Sequence, residues 1–70
     1  MEVNVERLKS LRRLRAMSQQ ELSEVSGVGR ATISRLERRE TGAHGRTLRR
    51  LANALGVGVE ELVKMEGGDA

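Results

Sequence analysis

Arginines at helical spacing are the side chains of this sequence best suited to bind a partner. Arg30 and Arg35 lie in a segment whose apolar residues, Ile33 and Leu36, are one helical turn apart. The apolar pair predicts a buried face, so the two guanidinium groups are expected on the other faces. Arginine binds phosphate or guanine through two parallel hydrogen bonds. The pattern therefore favours a polyanion, nucleic acid in particular, as the partner.

The charge of the chain is concentrated around these arginines. Residues 29–50 carry seven arginines and two glutamates, whereas the whole chain has a net charge of only +3. Residues 51–70 carry one lysine and four acidic residues. A basic segment beside an acidic end indicates a molecule that meets a polyanion with one face. A generally charged, solvated surface is the alternative interpretation.

The composition argues against several other kinds of protein. The 70 residues suffice for one small domain, and its core has to use Leu, Val, Ile, Ala and Met because Phe, Tyr and Trp are absent. Without Cys there is no disulfide and no cysteine-based zinc site, which suits a reducing cytoplasm. No apolar run is long enough to span a membrane. Single-strand and RNA modules stack bases on aromatic rings, so they are disfavoured as well.

Catalytic and metal-binding motifs are also missing from the sequence. His44 is the only histidine, and no acid–base partner for it is evident. The sequence has no phosphate-binding loop and no dinucleotide-binding motif. We therefore expect no enzyme activity, no metal, no cofactor and no small-molecule ligand. His44 is interpreted as a loop or helix-cap residue.

Capping signals and apolar spacing predict the first two helices. Asn4 can cap a first helix that runs to about Ala16, with an apolar stripe of leucines that reaches Leu14 or Arg15. Ser18 with the glutamate three residues later forms a capping box, which opens a second helix.

Glycines and apolar residues then predict a turn and a third helix. Leu22 and Val25 are expected to face inward from the second helix, and Gly27 can end it in the left-handed conformation. The third helix is expected to begin at residue 29 or 30 and to end near Arg38. No segment alternates with period two over a useful length, so no strand is predicted.

The remaining chain predicts two further helices. A fourth helix spans about residues 45–55, with Leu48, Leu51 and Leu55 inward, and Gly56 ends it. A fifth helix is expected from residue 60 to about 65, since its two leading glutamates suit the positive end of the helix dipole. Residues 1–65 are thus expected to form a single domain, and residues 66–70 a disordered tail.

The residues from 19 to 38 resemble the helix-turn-helix of the lambda-repressor-like family, also called the Cro/repressor or Xre type. That family has apolar residues at the fourth, tenth, fifteenth and eighteenth places of this unit, a small residue at the fifth and glycine at the ninth. The matching residues here are Leu22, Val28, Ile33, Leu36, Ser23 and Gly27. The resemblance covers about residues 5–64. It implies an all-α fold, a compact five-helix bundle in which helices 2 and 3 form the helix-turn-helix.

Three positions depart from the family pattern. Ala16 stands where Gly or Asn is common, Arg39 stands where Gly often ends the third helix, and Ala43 replaces a common loop proline. A non-glycine residue in the left-handed region costs roughly 1–2 kcal/mol. Either the loop at Arg39 differs from the family or the domain tolerates that strain.

The resemblance implies roles for individual residues. In this family the third helix enters the DNA major groove and reads base edges with its N-terminal residues. The positions that correspond to base-reading ones are Arg30, Ala31, Thr32 and Arg35. For each arginine a phosphate contact or a solvated position is the alternative.

The positions expected to lie against DNA phosphates are Gln19, Ser34, Arg38, Arg39 and Arg46. Arg12, Glu37 and Gly27 are expected to be structural, the first two as an ion pair between the first and third helices.

The resemblance therefore implies a sequence-specific, double-stranded DNA-binding transcriptional regulator, a repressor or controller. We expect a cytoplasmic homodimer that binds a palindromic operator and is joined through helices 4 and 5, because a lone domain of this size makes few base contacts. Phage-type repressors, restriction–modification controllers and antitoxins share this architecture, so these contexts stay open. The alternative function is an antitoxin-type module that mainly binds another protein, with DNA binding secondary.

Overall fold

The first helix follows from its cap and its leucines. A computed structural model of the chain describes residues 2–64, so the predicted tail at 66–70 lies outside the described residues. Helix α1 spans Val5–Leu14, and the Asn4 side chain accepts a hydrogen bond from the backbone N–H of Arg7 at 3.1 Å. The expectation that Leu14 belongs to the apolar stripe is wrong, since this side chain is 72% exposed. The helix ends at this residue, and the chain turns away at Ala16.

Helix α2 begins with the predicted capping box. It spans Gln19–Ser26, and the Ser18 hydroxyl and the Glu21 carboxylate each accept the other residue's backbone N–H, at 3.0 and 2.8 Å. Gly27 ends the helix with φ of +77°. The expectation that Val25 faces inward is wrong, since this side chain is 60% exposed. The inner face of α2 is formed by Leu22 and by half-buried polar residues at 19, 23 and 26. Val25 lies about 100° around the helix from the centre of that face.

Helices α3 and α4 complete the helical core. Helix α3 spans Arg30–Glu37 and α4 spans Gly45–Leu55, which matches the predicted ranges closely. Helix α2 packs against both of them, and α1 packs against α3. The largest fully buried side chains come from all four helices and the C-terminal segment: Leu8, Leu22, Ile33, Leu36, Leu48, Leu51, Leu55 and Leu62.

The predicted fifth helix is not formed. Val59–Glu61 makes a single 3₁₀ turn, and the chain then pairs with the N-terminal segment instead of continuing as a helix. The Asn4 N–H donates to the Leu62 carbonyl at 2.8 Å, and Val3 forms an isolated antiparallel bridge with Val63. This long-range backbone pairing satisfies groups that a helix would otherwise pair locally. Within residues 2–64 the fold is therefore all-helical, with four α-helices rather than five and a bridge but no strand.

Two non-glycine residues adopt the left-handed conformation. Ala16 has φ of +55° and Arg39 has φ of +62°. In the family that the sequence resembles, Gly or Asn is common at the first of these positions and Gly at the second, and here a non-glycine residue carries the strain at each. The cost is roughly 1–2 kcal/mol for each residue.

Candidate nucleic-acid interface

Helix α3 presents a basic face because its apolar residues hold the opposite face in the core. Ile33 and Leu36 have no exposed surface. Arg30, Ala31 and Arg35 are exposed, whereas Thr32 and Ser34 are half-buried. The base-reading candidates therefore lie together on one short helix, and Thr32 is the least accessible of them.

The arginines of this region differ in whether a carboxylate already holds them. Among residues 2–64, Arg30 and Arg35 form no ion pair. Arg38 pairs with Glu40 at 2.9 Å, and the Arg39 guanidinium pairs with Glu6 on α1. The hydrogen bond from Arg38 is the main reason why the pKa of Glu40 lies below its ordinary value. Of these four arginines, the two on the outward face of α3 have no carboxylate within ion-pair distance in the described part of the chain, although the charge of Arg35 also helps to lower the pKa of Glu40.

Arg12 and Glu37 join α1 to the end of α3. The guanidinium donates from Nε at 2.7 Å and from Nη2 at 2.9 Å to the two carboxylate oxygens, and from Nη1 to the Met17 carbonyl at 2.8 Å. The two side chains are only 12% and 5% exposed. This pair fixes the distance between α1 and the C-terminal end of α3.

Burial and hydrogen bonding act in opposite directions on the Glu37 carboxylate. Burial raises the pKa of Glu37, but hydrogen bonds from Arg12 and Gln19 outweigh it, so the pKa is lower than the ordinary 4.5. The hydrogen bond to Glu37 raises the pKa of Arg12 in turn. Both groups are therefore charged at neutral pH.

Gln19, a phosphate candidate, belongs to the same network. Its Nε2 donates to Glu37 at 3.1 Å, and the residue is half-buried at the first position of α2. No local pattern predicts this hydrogen bond, since the two residues are eighteen positions apart.

A cleft beside α3 brings further polar groups to this face. Thr32 and Arg35 line it from α3, and His44 and Thr47 line it from the start of α4. His44 is the N-cap residue of α4, as its interpretation as a cap residue suggested, and its side chain makes no capping hydrogen bond. Arg46 lines the adjoining cleft with His44 and Thr47. Sequence reasoning missed this grouping because the intervening loop decides it.

Metal sites and membrane spans are both absent from the described part of the chain. Residues 2–64 contain no group of three or more His, Cys, Asp or Glu side chains placed to hold a metal ion. None of their helices is long and apolar enough to cross a membrane.

Comparison with known proteins gives consistent matches. The model of the family "HTH_3: Helix-turn-helix" matches residues 8–62. A control protein, C.SmaI of Serratia marcescens, is 36% identical over 66 residues, which cover 94% of this chain and 79% of that protein.

Two solved structures share the fold. The restriction-modification controller protein C.AhdI of Aeromonas hydrophila aligns with a TM-score of 0.78 at 30% identity, over 81% of this chain and 86% of that one. An HTH_3 family transcriptional regulator from Vibrio cholerae aligns with a TM-score of 0.77 at 28% identity, again over 81% of this chain. The present chain spans about a third of that longer protein, 32% of its length.

Proposed function

The chain belongs to the helix-turn-helix family HTH_3, and on that premise we propose that it binds double-stranded DNA sequence-specifically as a homodimer on a palindromic operator. Its relatives are transcriptional regulators and control proteins, and this chain is a DNA-binding regulator of that kind rather than an enzyme. We propose that the chain is a controller or repressor of the restriction–modification type. Among the matched relatives, C.AhdI is a restriction-modification controller protein and C.SmaI is a control protein. A cytoplasmic location is part of the same proposal.

The free basic face of α3 is the observation that carries this proposal. Arg30 and Arg35 are exposed and form no ion pair within residues 2–64, while Ile33 and Leu36 anchor the helix behind them. A rigid helix with two unpaired guanidinium groups can donate two parallel hydrogen bonds to guanine O6 and N7. Ala31 can contact only a thymine methyl group, and Thr32 can donate or accept one hydrogen bond.

Phosphate contacts on both sides of α3 set its depth and register in the groove. Gln19 at the start of α2 and Arg46 at the start of α4 flank the base-reading face, and Ser34, Arg38 and Arg39 complete the proposed set. The charges of Arg38 and Arg39 are already partly neutralised by Glu40 and Glu6. They therefore contribute less affinity than their charge suggests.

The proposed dimer uses the C-terminal part of the domain. Ala54, Val57, Val59 and Val63 pack against the core but keep part of their apolar surface exposed. These residues surround the 3₁₀ turn, at the place where helices 4 and 5 were expected to form the seam. Two copies joined here double the base contacts and give the operator its two-fold symmetry.

Selection of binding sites from a random duplex pool tests the proposal. We expect a winning sequence with two inverted half-sites about one helical turn apart. Sedimentation of the free protein and of a Val57→Asp variant tests the dimer, and we expect the charged variant to be monomeric and to bind a single half-site weakly. A pool that yields no preferred sequence would refute the proposal. Capture of a small partner protein by a variant with weakened DNA binding, such as Arg35→Ala, would favour the antitoxin-type alternative.

A further inference from the structure

We propose that Arg50 on α4 binds a phosphate of the DNA backbone beside the groove that α3 enters. This inference rests on the proposed DNA-binding function and adds to it a residue on the second turn of α4, outside the helix-turn-helix. The contact would continue the interface from the base-reading face along the next helix.

The start of α4 lies across a cleft from α3. Thr47 at the start of α4 lines the same cleft as Thr32 and Arg35 of α3. Thr47 therefore marks the side of α4 that is nearest to the base-reading face. In the proposed complex, a residue of α4 on that side would lie next to the DNA strand that borders the groove.

Helical geometry then separates Arg50 from its neighbour Arg49. An α-helix turns by about 100° and rises by about 1.5 Å for each residue. Arg50 is three residues beyond Thr47, so it lies only about 60° around the helix and about 4.5 Å along it. Arg49 is two residues beyond Thr47 and lies about 160° away, which is the opposite side of the helix.

Arg50 also continues a row that begins nearer to α3. Arg46 is four residues before it and lies about 40° away around the helix, closer than the roughly 60° between Arg46 and Arg49, so Arg46 and Arg50 follow one another along one side of α4. Arg46 lines the cleft that shares His44 and Thr47 with the cleft beside α3. A DNA strand that passes Arg46 therefore reaches Arg50 on the next turn.

The charge of α4 supports an anionic partner. The helix contains three arginines and no acidic residue. Arg50 is exposed and forms no ion pair within the described range 2–64. Arg38 and Arg39, by contrast, are already held by carboxylates. DNA is favoured over an acidic protein surface because Arg50 shares its side of α4 with the base-reading cleft.

A pair of single variants tests this assignment. Arg50→Ala and Arg49→Ala remove the same side chain from adjacent exposed positions of one helix, so their effects on folding should be equal and small. We expect Arg50→Ala to weaken binding to the selected operator and to a random duplex by the same factor. The slope of log affinity against log salt should fall by about 0.9 for each phosphate that the protein no longer neutralises. Arg49→Ala should lower the affinity only slightly, through the general loss of one positive charge, and should leave the slope nearly unchanged. Arg50→Lys should restore most of the slope.

Each other outcome overturns the assignment. Equal slopes for wild type and Arg50→Ala, or equal losses of affinity for the two alanine variants, would show that Arg50 makes no phosphate contact of its own. A loss confined to the selected operator would make Arg50 a base reader instead. The proposed function is tested separately, by site selection with the wild-type protein. That function is refuted if the wild-type protein selects no preferred sequence.

Discussion

The Gln19 side chain donates a hydrogen bond to Glu37, which links the first residue of α2 to the last residue of α3 across 3.1 Å. The accepting oxygen also receives Nη2 of Arg12 at 2.9 Å. One hydrogen of the Gln19 amide nitrogen is thereby committed, and the second remains for another acceptor. The proposed phosphate contact at Gln19 and the ion pair that ties α1 to α3 therefore form one polar network.

Removal of Arg12 should destabilise the domain strongly. Arg12→Met leaves the buried Glu37 carboxylate without its partner, and loss of one partner of a buried pair costs about 3–5 kcal/mol. Urea denaturation monitored by circular dichroism measures the free energy of unfolding. Arg7→Met is the matched control, because the Arg7–Glu61 pair at 2.7 Å is exposed and its loss should cost less than about 1 kcal/mol. Equal losses of stability in the two variants would contradict this role of the buried pair.

The same carboxylate should make the stability depend on acid pH. The folded-state pKa of Glu37 is lower than its ordinary 4.5, so its contribution is fully present above that value and is lost as pH falls below it. We expect the free energy of unfolding of wild type to fall more steeply below pH 4.5 than that of Glu37→Gln. The difference between the two proteins should shrink as the carboxylate becomes protonated. A difference that stays constant from neutral pH down to about pH 3 would show that Glu37 does not contribute through its charge.

Local signals in the sequence were enough to predict the four α-helices. The Asn4 cap, the box formed by Ser18 and Glu21, and the glycines at 27 and 56 each act within one or two turns of chain, and all appear in the structure. Such signals depend only on neighbouring residues, so periodicity and capping rules can read them.

Contacts between distant residues account for what the sequence did not predict. The fifth helix was predicted from residues near 60, but pairing of Val3 with Val63 draws that segment into an extended path. Likewise, the hydrogen bond from Gln19 to Glu37 and the pair between Glu6 and Arg39 join separate helices and loops. No local pattern encodes these contacts, because they depend on how the helices pack.

Substitution of Ala16 by glycine should stabilise the protein. Ala16 has φ of +55°, a conformation that costs an alanine roughly 1–2 kcal/mol and costs glycine almost nothing. After the larger unfolded-state entropy of glycine is subtracted, we expect a gain of about 0.5–1 kcal/mol in Ala16→Gly. Thermal and urea denaturation of the purified protein measure this gain.

The same substitution within a helix provides the control. Ala31 is exposed in the first turn of α3, where replacement of alanine by glycine should also cost stability, though less than the roughly 1 kcal/mol of a helix interior. Ala16→Gly and Ala31→Gly should therefore change the stability in opposite directions. A loss of stability in both variants would mean that the left-handed turn at Ala16 is not maintained in solution.

Arg35 should discriminate between DNA sequences. Loss of a guanidinium that binds guanine through two hydrogen bonds should cost roughly 1–3 kcal/mol for each half-site of the selected operator and much less on random DNA, where those bonds do not form. Fluorescence anisotropy with both duplexes at the same salt concentration measures the two affinities. The ratio between them should therefore fall in Arg35→Ala.

Arg15→Ala separates base reading from a general loss of charge. The Arg15 guanidinium lies beside Gly56, at the end of α4 that is opposite to the cleft, and Arg15 is exposed like Arg35. The control variant loses one positive charge, so its affinity should fall slightly and by the same factor on both duplexes. If Arg35→Ala also loses the same factor on both duplexes, then Arg35 binds phosphate rather than bases, and Arg30 with Thr32 must carry the sequence preference.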